Sequence, residues 1–385
     1  MPSPLLSLIV QRIRSAGPLT VAEFVDEALY HEELGYYARA GQRSGRDGDF
    51  ITSVDVGPVF GELLASQFAE MWSILSRPPA RTDAGGADRF DLVEAAAGNG
   101  RLARDILDAA AARHPGFYGA ARLRLVERSP RARAAQAGVL GPHLPRLVAS
   151  SSELPDEVDG VIYANELLDA LAPHLVVMRE GGLREVYVDA DGDRLTTREH
   201  AVSSSRIPEY LARVGARLQA GWFAEVNLAA EDWIGQAGRC LTRGFLVVID
   251  YGREASTLYS ASHATGTLTT YRRHAAERRE DGPGWLLEPG ERDITSHVDL
   301  TGVRLAGEDA GLRLLGVVDQ TYFLLGLAGP ALSSGPASPD EARRRLALKT
   351  LLLPGGMGST LKVMVFSKAV DAARLQGLSF GGRVT

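Results

Sequence analysis

The sequence predicts an α/β fold with a mostly parallel β-sheet and helices on both of its faces. Between residues 90 and 164, short apolar strands alternate with helices, which is the pattern of a parallel sheet. A later segment, Phe245–Ile249, is the most apolar predicted strand and is therefore expected at the centre of the sheet. The chain has 385 residues, of which 45% are hydrophobic and 23% charged, so it can bury a sizeable core.

The chain opens with a predicted amphipathic helix over residues 1–16, in which an apolar stretch precedes two arginines. A second helix is predicted by apolar residues at helical spacing, namely Phe60, Leu64, Phe68, Met71, Trp72 and Leu75. A linker over residues 77–89, rich in proline, glycine and alanine, follows this helix. The sheet is expected to begin directly after the linker.

The predicted elements of the sheet region follow in a regular order. They are a strand at Phe90–Val93, a helix at about 101–113, a strand at Leu123–Glu127, a helix at Pro130–Ala137, and strands at Arg146–Ala149 and Gly160–Ala164. A helix at Pro339–Leu352 and a strand at Leu361–Lys368 complete the pattern. Two stretches interrupt it: an antiparallel meander at 174–199, with turns at 181–182 and 191–193, and a loop-rich segment at 252–300. Such insertions usually shape access of the substrate.

Composition excludes several classes of protein. A formal net charge of −6 disfavours binding of nucleic acid, which requires a basic surface. The single cysteine, Cys240, excludes an intramolecular disulfide and a CxxC metal site, and it fits a reducing compartment. The N-terminal segment lacks the features of a signal peptide, and no apolar run approaches the roughly 20 residues of a membrane span. We therefore expect a cytoplasmic protein that does not span a membrane.

A loop of small residues follows the first strand of the sheet region. Glu94 ends that strand, and Ala96, Gly98 and Gly100 lead into a helix, where small residues allow close approach of a ligand. By itself a pair of glycines is weak evidence. The next strand ends at Glu127, one strand-helix-strand unit later, where an acid can bind both hydroxyls of a ribose; a solvated acid is the alternative.

The loop carries an acid, and this distinguishes between cofactors. A pyrophosphate favours a helix N-terminus without nearby negative charge, whereas S-adenosylmethionine (SAM) carries an ammonium and a sulfonium and tolerates carboxylates. The carboxylate of Glu94 is expected to hold the ammonium directly or through neighbouring amides. The loop therefore favours SAM over a dinucleotide.

Asn165, Glu166 and Asp169 follow the predicted strand at Gly160–Ala164, at the carboxyl edge where open α/β sheets bind ligands. If a helical turn begins there, Glu166 and Asp169 lie on neighbouring faces and can point at one acceptor. Asn165 would then orient cofactor or substrate. The alternative is that Asn165 starts a helix and the two acids merely favour its N-terminus.

Three further residues are candidates for the site. Asp49 and Thr52 lie in the glycine-bearing loop 48–53, where they could contact the amino-acid end of SAM; an ordinary turn is the alternative. His297, between Asp293 and Asp299, suggests an acid-base group or a metal set. One histidine is too few for a typical metal site, so no metal is predicted.

Several segments in order resemble one family, the MidA-type SAM-dependent methyltransferases, which includes a mitochondrial enzyme that dimethylates an arginine during complex I assembly. The segments are Pro18–Phe24, Tyr30–His31, Leu34–Tyr37, Gly48–Ser53, Phe60–Leu63, the loop after Glu94, Val126–Pro130, Ala164–Ala170, Ile249–Gly252 and Asp293–Asp299. One departure is Ala96, which replaces the first of three glycines usual in the family and crowds the turn.

The resemblance implies a class I methyltransferase fold, which is Rossmann-like with a mostly parallel seven-stranded sheet. It also implies a helical N-terminal lid region over residues 1–80 and an inserted acceptor-binding region. We place the SAM-binding core in residues 81–170 and 241–385, and the insertions in residues 171–240 and 252–300.

The resemblance further implies transfer of a methyl group to an arginine of a protein or peptide. A guanidinium, with a pKa above about 12, is a poor nucleophile unless carboxylates orient it and accept its proton, and Glu166 and Asp169 suit that task. Two alternatives stay open: a small-molecule N- or O-methyltransferase, and a non-catalytic SAM-binding assembly protein, which Ala96 motivates. The sequence is also compatible with a homodimer.

Overall fold

A computed structural model describes residues 3–38, 52–76, 89–272, 275–276, 283–329, 338–353, 357–371 and 373–381. Asp49 and nearly all of the predicted linker lie outside these residues. The chain forms two compact units, each built from several segments. The first unit comprises Met1–Ile51, Leu168–Ile234 and Gly252–Ala306, and the second comprises Thr52–Leu167, Gly235–Tyr251 and Gly307–Thr385.

The strands and helices are numbered in chain order. The strands are β1 (Leu19–Thr20), β2 (Phe90–Ala95), β3 (Ala121–Val126), β4 (Leu147–Ser151), β5 (Val158–Asn165), β6 (His174–Arg179), β7 (Gly182–Asp191), β8 (Arg194–His200), β9 (Phe223–Val226), β10 (Leu241–Arg253), β11 (Thr269–Arg272), β12 (Ala275–Ala276), β13 (Asp293–Thr295), β14 (Val298–Asp299), β15 (Arg313–Asp319) and β16 (Leu361–Lys368). The helices are α1 (Pro4–Ala16), α2 (Val21–Tyr30), α3 (Val59–Leu75), α4 (Arg101–Arg113), α5 (Pro115–Ala120), α6 (Pro130–Leu140), α7 (Arg206–Arg213), α8 (Leu228–Cys240), α9 (Ala255–Leu258), α10 (Leu300–Asp309), α11 (Gln320–Ala328), α12 (Pro339–Leu352) and α13 (Met357–Thr360).

The second unit contains the main sheet. Seven of its strands lie in the order β15-β16-β10-β5-β2-β3-β4, and the short β14 pairs with the last two residues of β10. The strands from β10 to β4 are parallel, and β16 runs antiparallel to both β10 and β15. The predicted fold, a mostly parallel seven-stranded sheet, is therefore confirmed, with the apolar strand β10 in its interior.

Two glycines allow the central strands to approach one another. Gly160 on β5 and Gly244 on β10 are partners in register and have φ angles of 155° and 134°. A Cβ atom on Gly160 would lie 2.1 Å from the carbonyl oxygen of Asp91 on β2. Since backbone atoms cannot yield at that distance, glycine is required here.

Helix α3 packs in the core of the second unit. Phe60 and Phe68 on this helix are fully buried, and the Phe68 ring lies 4.9 Å from that of Tyr163 on β5. Burial of one such side chain contributes about 1.5–3 kcal/mol to stability. The apolar stripe thus joins α3 to the main sheet, whereas α1 and α2 belong to the first unit. The structure accordingly divides residues 1–80 between the two units.

The first unit contains two antiparallel sheets. The larger has the order β1-β7-β6-β9, with β8 paired to β7, and β6 to β8 form the predicted meander with turns where they were expected. The smaller has the order β12-β11-β13. The described parts of segment 252–300 thus contain strands that the sequence did not predict. Strands of two to four residues are too short to show a period.

No helix in the described part of the chain is long and apolar enough to cross a membrane.

Candidate active site

The glycine loop of the second unit joins β2 to α4 through three residues with left-handed backbone. Ala96, Gly98 and Gly100 have φ angles of 54°, 51° and 83°. A Cβ atom added at Gly98 would meet no atom within 4 Å, whereas one at Gly100 would lie 3.3 Å from Leu125. Open space therefore lies beside Gly98, on a loop whose backbone can approach a ligand closely.

Ala96 is strained because a β-carbon is unfavourable at positive φ, at a cost of about 1–2 kcal/mol. Its side chain is exposed, so the methyl group packs against little that would compensate. We expect Ala96→Gly to raise the free energy of unfolding by about 1 kcal/mol, measured by urea denaturation. The control is Ala97→Gly, which is buried and not at positive φ and should lose stability. Equal losses in both variants would contradict strain at Ala96.

Gly98 is held from two sides. Its N–H donates to Glu127 Oε2 (2.8 Å), and the other carboxylate oxygen of Glu127 accepts from the N–H of Ser129 (2.7 Å). Gln136 on α6 donates from Nε2 to the carbonyl of Gly98 (2.9 Å) and accepts from the hydroxyl of Ser150 (2.6 Å). Sequence reasoning missed Gln136; the one signal was a polar side chain at a position that turns out to be buried.

Glu94, at the end of β2, points into the interior of the second unit. It is buried, its Oε2 accepts from the hydroxyl of Tyr163 (3.0 Å), and the N–H of Ala103 in the first turn of α4 also donates to it. Burial raises the pKa of Glu94 to about 8, and the two hydrogen bonds oppose that rise only in part. The carboxyl therefore links β2 to β5 and to the first turn of α4, and its contact with the ammonium of SAM stays a prediction.

The raised pKa of Glu94 predicts a pH effect on stability. Between pH 4.5 and 8 the folded state binds the proton and the unfolded state releases it, so stability falls as the pH rises, by at most about 1.4 kcal/mol per pH unit. We expect Glu94→Gln, which cannot ionise, to gain stability relative to the wild type from pH 5 to pH 8 in urea denaturation. If the free energies of unfolding of the two proteins changed in parallel between pH 5 and pH 8, the raised pKa of Glu94 would be contradicted.

Thr52 is linked to the glycine loop through two other side chains. Its N–H and hydroxyl donate to Asp55 Oδ2 at 3.0 and 2.9 Å. Asp55 Oδ1 lies 2.6 Å from Arg101, the first residue of α4. Thr52 therefore lies in the same unit as the loop, while Asp49 is outside the described residues.

The turn after β5 differs from the expected helical start. Asn165 is the last residue of β5, and a short 3-10 turn begins only at Leu168. Asn165 is thus not a helix cap, and the prediction of a helical turn from Asn165 is wrong. The physical reason is that pairing with β10 extends to Asn165 and Ile249, so the chain must leave the sheet abruptly.

Glu166 makes that abrupt turn in a left-handed conformation, with φ of 53°. Its N–H donates to the carbonyl of Ile249 (2.8 Å), and the next N–H, of Leu167, donates to Asp250 Oδ2 (3.1 Å). Strained residues that the surrounding structure holds in place occur preferentially at active sites. Asp250 was not predicted as a site residue, although an acid at the end of the most apolar strand was a signal for it.

Asn165 carries a buried atom without a partner. Its Nδ2 donates to Glu166 Oε1 (3.1 Å), while Oδ1 is buried and accepts no hydrogen bond from any described residue. An unpaired buried acceptor costs about 1–3 kcal/mol. Together with Glu127 and the space beside Gly98, this oxygen fits a ligand that has hydroxyl and amine donors, as the nucleoside part of SAM has.

Asp169 lies in the first unit, on the 3-10 turn. Its Oδ2 accepts from the hydroxyl of Thr295 (3.0 Å), and its carbonyl accepts from the N–H of Ser296 (3.3 Å). Burial raises the pKa of Asp169 to about 6, so its carboxylate is still mostly anionic near pH 7.5. Two tyrosines stack nearby with ring centres 5.3 Å apart: Tyr30, which donates to the carbonyl of Ala170, and Tyr37.

The two aspartates beside His297 have other partners. Asp293 accepts from the hydroxyl of Tyr37 (3.2 Å). Asp299 accepts from the hydroxyl of Tyr210 (3.0 Å) and from two N–H groups at the start of α10. Both aspartates are therefore engaged by residues other than His297, and a catalytic role of His297 stays a prediction. Within the described ranges, no group of three histidine, cysteine or acidic side chains is arranged to hold a metal ion.

Comparisons with known proteins agree with this geometry. The model of the family "Putative S-adenosyl-L-methionine-dependent methyltransferase" matches residues 63–318. The mitochondrial protein arginine methyltransferase NDUFAF7 homolog of Drosophila melanogaster is 27% identical over 94% of this chain and 85% of its own, and the NDUFAF7 protein of Danio rerio is 29% identical over 96% and 88%. A crystal structure from Burkholderia thailandensis bound to S-adenosylhomocysteine has a TM-score of 0.84 at 27% identity, covering 99% of this chain and 98% of its own. The chain belongs to this family and is a SAM-dependent methyltransferase.

Proposed function

We propose that this methyltransferase transfers a methyl group from SAM to an arginine guanidinium of a protein or peptide. The observation that carries the proposal is the strained turn at Glu166, which presents a carboxylate directly after Asn165 at the carboxyl edge of the main sheet. Proteins named as arginine methyltransferases that align with most of this chain support the same acceptor.

The roles proposed for the residues follow from their contacts. Each carboxylate oxygen of Glu127 accepts from one N–H group and has a further lone pair, with which Glu127 binds the ribose hydroxyls. Oδ1 of Asn165 accepts a hydrogen bond from the cofactor. Gly98, Gly100 and Ala96 form the loop that the cofactor approaches, Glu94 positions that loop, and Thr52 positions it through Asp55. Asp49 is proposed to contact the amino-acid end of SAM.

The acceptor is proposed to meet the carboxylate of Glu166. Bound SAM supplies a methyl group on a sulfonium. Glu166 orients the guanidinium and accepts the proton that it loses on methylation. Asp169, which lies in the first unit, is anionic at neutral pH and stays a predicted acid for binding a cationic acceptor. Methyl transfer is a displacement, so orientation and exclusion of water are the main tasks of these side chains.

The acceptor can be identified with methyl-labelled SAM. We expect incubation with a cell lysate to label protein, and acid hydrolysis of that protein to release labelled methylarginine. Label confined to small molecules would instead favour the small-molecule methyltransferase. A chain that binds SAM in calorimetry but transfers no label to either fraction would favour the non-catalytic assembly protein.

Two further features of the protein are proposals from the sequence. The named animal relatives are mitochondrial, whereas the location proposed for this protein is cytoplasmic. The single buried thiol of Cys240 fits any reducing compartment. A homodimer is tested by light scattering during gel filtration, where a mass near 41 kDa would contradict it.

A further inference from the structure

Two buried nitrogen atoms of the first unit have no partner among the described residues. They are Nε of Arg253, at the end of β10, and Nδ1 of His297, just before β14. β10 and β14 run parallel here, with Arg253 in register with Asp299. Arg253 as a whole is half-buried, and no carboxylate of the described ranges forms an ion pair with it. A buried nitrogen without a partner costs about 1–3 kcal/mol. The charge of Arg253 also acts on the imidazole of His297, so the two unpartnered nitrogens point to one shared ligand.

The electrostatics of this pair favour an anion. Burial, Arg253 and His263 together lower the pKa of His297 to about 4, so the imidazole is neutral at pH 7 and Arg253 supplies the charge. The rings of His263 and His297 are 6.2 Å apart, and His263 is fixed by Nδ1, which lies 3.0 Å from both the carbonyl of Thr257 and the hydroxyl of Ser262. A cationic ligand would be repelled by the guanidinium.

The backbone around His297 is held independently of any ligand. The N–H of His297 donates to the hydroxyl of Thr267 (3.0 Å). Thr267 in turn is bound by the buried carboxylate of Glu225, which accepts from its N–H (2.8 Å) and lies 3.2 Å from its hydroxyl. The backbone that carries the imidazole is therefore fixed before a ligand arrives, which favours a preorganised site.

The residues just before His297 also contact Asp169, the acid predicted to bind the acceptor. Thr295 and Ser296 both donate to Asp169, through a hydroxyl and an N–H, and His297 is the next residue. An anion bound at Arg253 and His297 would therefore lie next to the segment that contacts Asp169. All of these residues belong to the first unit. The guanidinium fork of arginine matches a carboxylate in geometry, and a neutral imidazole can donate to a second oxygen from Nδ1.

We infer that Arg253 and His297 form a binding site for a carboxylate of the methyl acceptor, in the same unit as Asp169. This inference rests on the proposed function for the identity of the acceptor, but the anion site itself does not. The carboxylate is either an aspartate or glutamate close to the methylated arginine in a protein, or the acid group of a free small molecule.

The first test uses acetate as the probe and needs no catalysis. Imidazole resonances are followed by NMR at constant ionic strength while acetate replaces chloride, and His297 is assigned with a His297→Gln variant. We expect a saturable shift of the His297 resonance in the wild type and at least a tenfold weaker response in Arg253→Gln. Arg217→Gln, which removes an exposed arginine of the same unit, should respond like the wild type. No saturable shift, or an equal shift in Arg253→Gln, would overturn the site.

The second test asks whether the carboxylate belongs to the acceptor. Label transfer from SAM is measured to short arginine peptides that carry an aspartate one or two residues from the arginine, and to their asparagine counterparts. We expect Arg253→Gln to raise KM for the aspartate peptide at least tenfold, with kcat and SAM affinity within threefold of the wild type. The asparagine peptides should show little difference between the two proteins. Equal KM values for both proteins would refute an acceptor carboxylate.

The two tests also distinguish a protein carboxylate from a free acid, and a failure of the anion site from a failure of the proposed function. If N-acetylaspartate inhibits labelling of the peptide and the label is found only in the peptide, the carboxylate belongs to a protein. If the label is found in the small-molecule fraction of a lysate and is lost with Arg253→Gln, the carboxylate belongs to a free acid. If neither peptide nor lysate is labelled by the wild type, the proposed function fails while the acetate shift still decides the site.

Discussion

Replacement of Glu166 by glutamine is expected to lower the rate of methyl transfer by about 100- to 10,000-fold while leaving SAM affinity within about threefold of the wild type. A positioned base contributes rate enhancement of this size, and glutamine keeps the shape of the side chain while it can no longer accept a proton. The measurements are single-turnover transfer of labelled methyl and calorimetric titration of SAM. Glu157→Gln, an exposed acid of the same unit, is the matched control.

A second substitution at this position separates catalysis from folding. Glu166 has φ of 53°, so Glu166→Gly should relieve backbone strain and leave the free energy of unfolding unchanged or slightly higher. Loss of transfer in a variant that is at least as stable as the wild type would show that the side chain is retained for chemistry. Full transfer by either variant, with SAM bound, would remove Glu166 from the mechanism.

The sequence was most informative where local signals are strong. The helix at Arg101–Arg113 and the strand at Leu361–Lys368 lie where the sequence placed them, because apolar period and flanking polar residues mark their ends. The same holds for Glu127, whose place at a strand end follows from the spacing of one strand-helix-strand unit. By contrast, β15 was not predicted, since a half-buried strand shows no clear alternation.

What could not be read from the sequence depends on contacts between distant residues. Gln136 reaches Gly98, which is 38 positions away, and Asp250 holds the N–H of Leu167 across 83 positions. No local pattern encodes such pairs. The direction of the Glu94 side chain depends in the same way on the hydroxyl of Tyr163, 69 positions later. The positions of these residues at the ends of strands were thus predictable, while the contacts of their side chains were not.

The largest expected effect on cofactor binding is at Glu127. Two hydroxyls of a ribose hydrogen-bonded to one carboxylate contribute about 1.5–3 kcal/mol each at most, so Glu127→Gln, which keeps one acceptor oxygen, should weaken SAM binding by about 10- to 100-fold. Titration calorimetry with SAM and with S-adenosylhomocysteine measures this. Glu153→Gln, an exposed acid of the same unit, is the control and should bind as the wild type does.

The carboxylate of Glu127 also holds the loop, because it accepts from the N–H groups of Gly98 and Ser129. Loss of affinity could then arise from a displaced loop instead of a lost ribose contact. An S-adenosylhomocysteine analogue without the 2′-hydroxyl separates these causes in a double-mutant cycle. If Glu127 binds the ribose, removal of the hydroxyl weakens binding to the wild type but hardly changes binding to Glu127→Gln. If the two changes add independently, Glu127 acts on the loop alone, and the ribose must be recognised elsewhere.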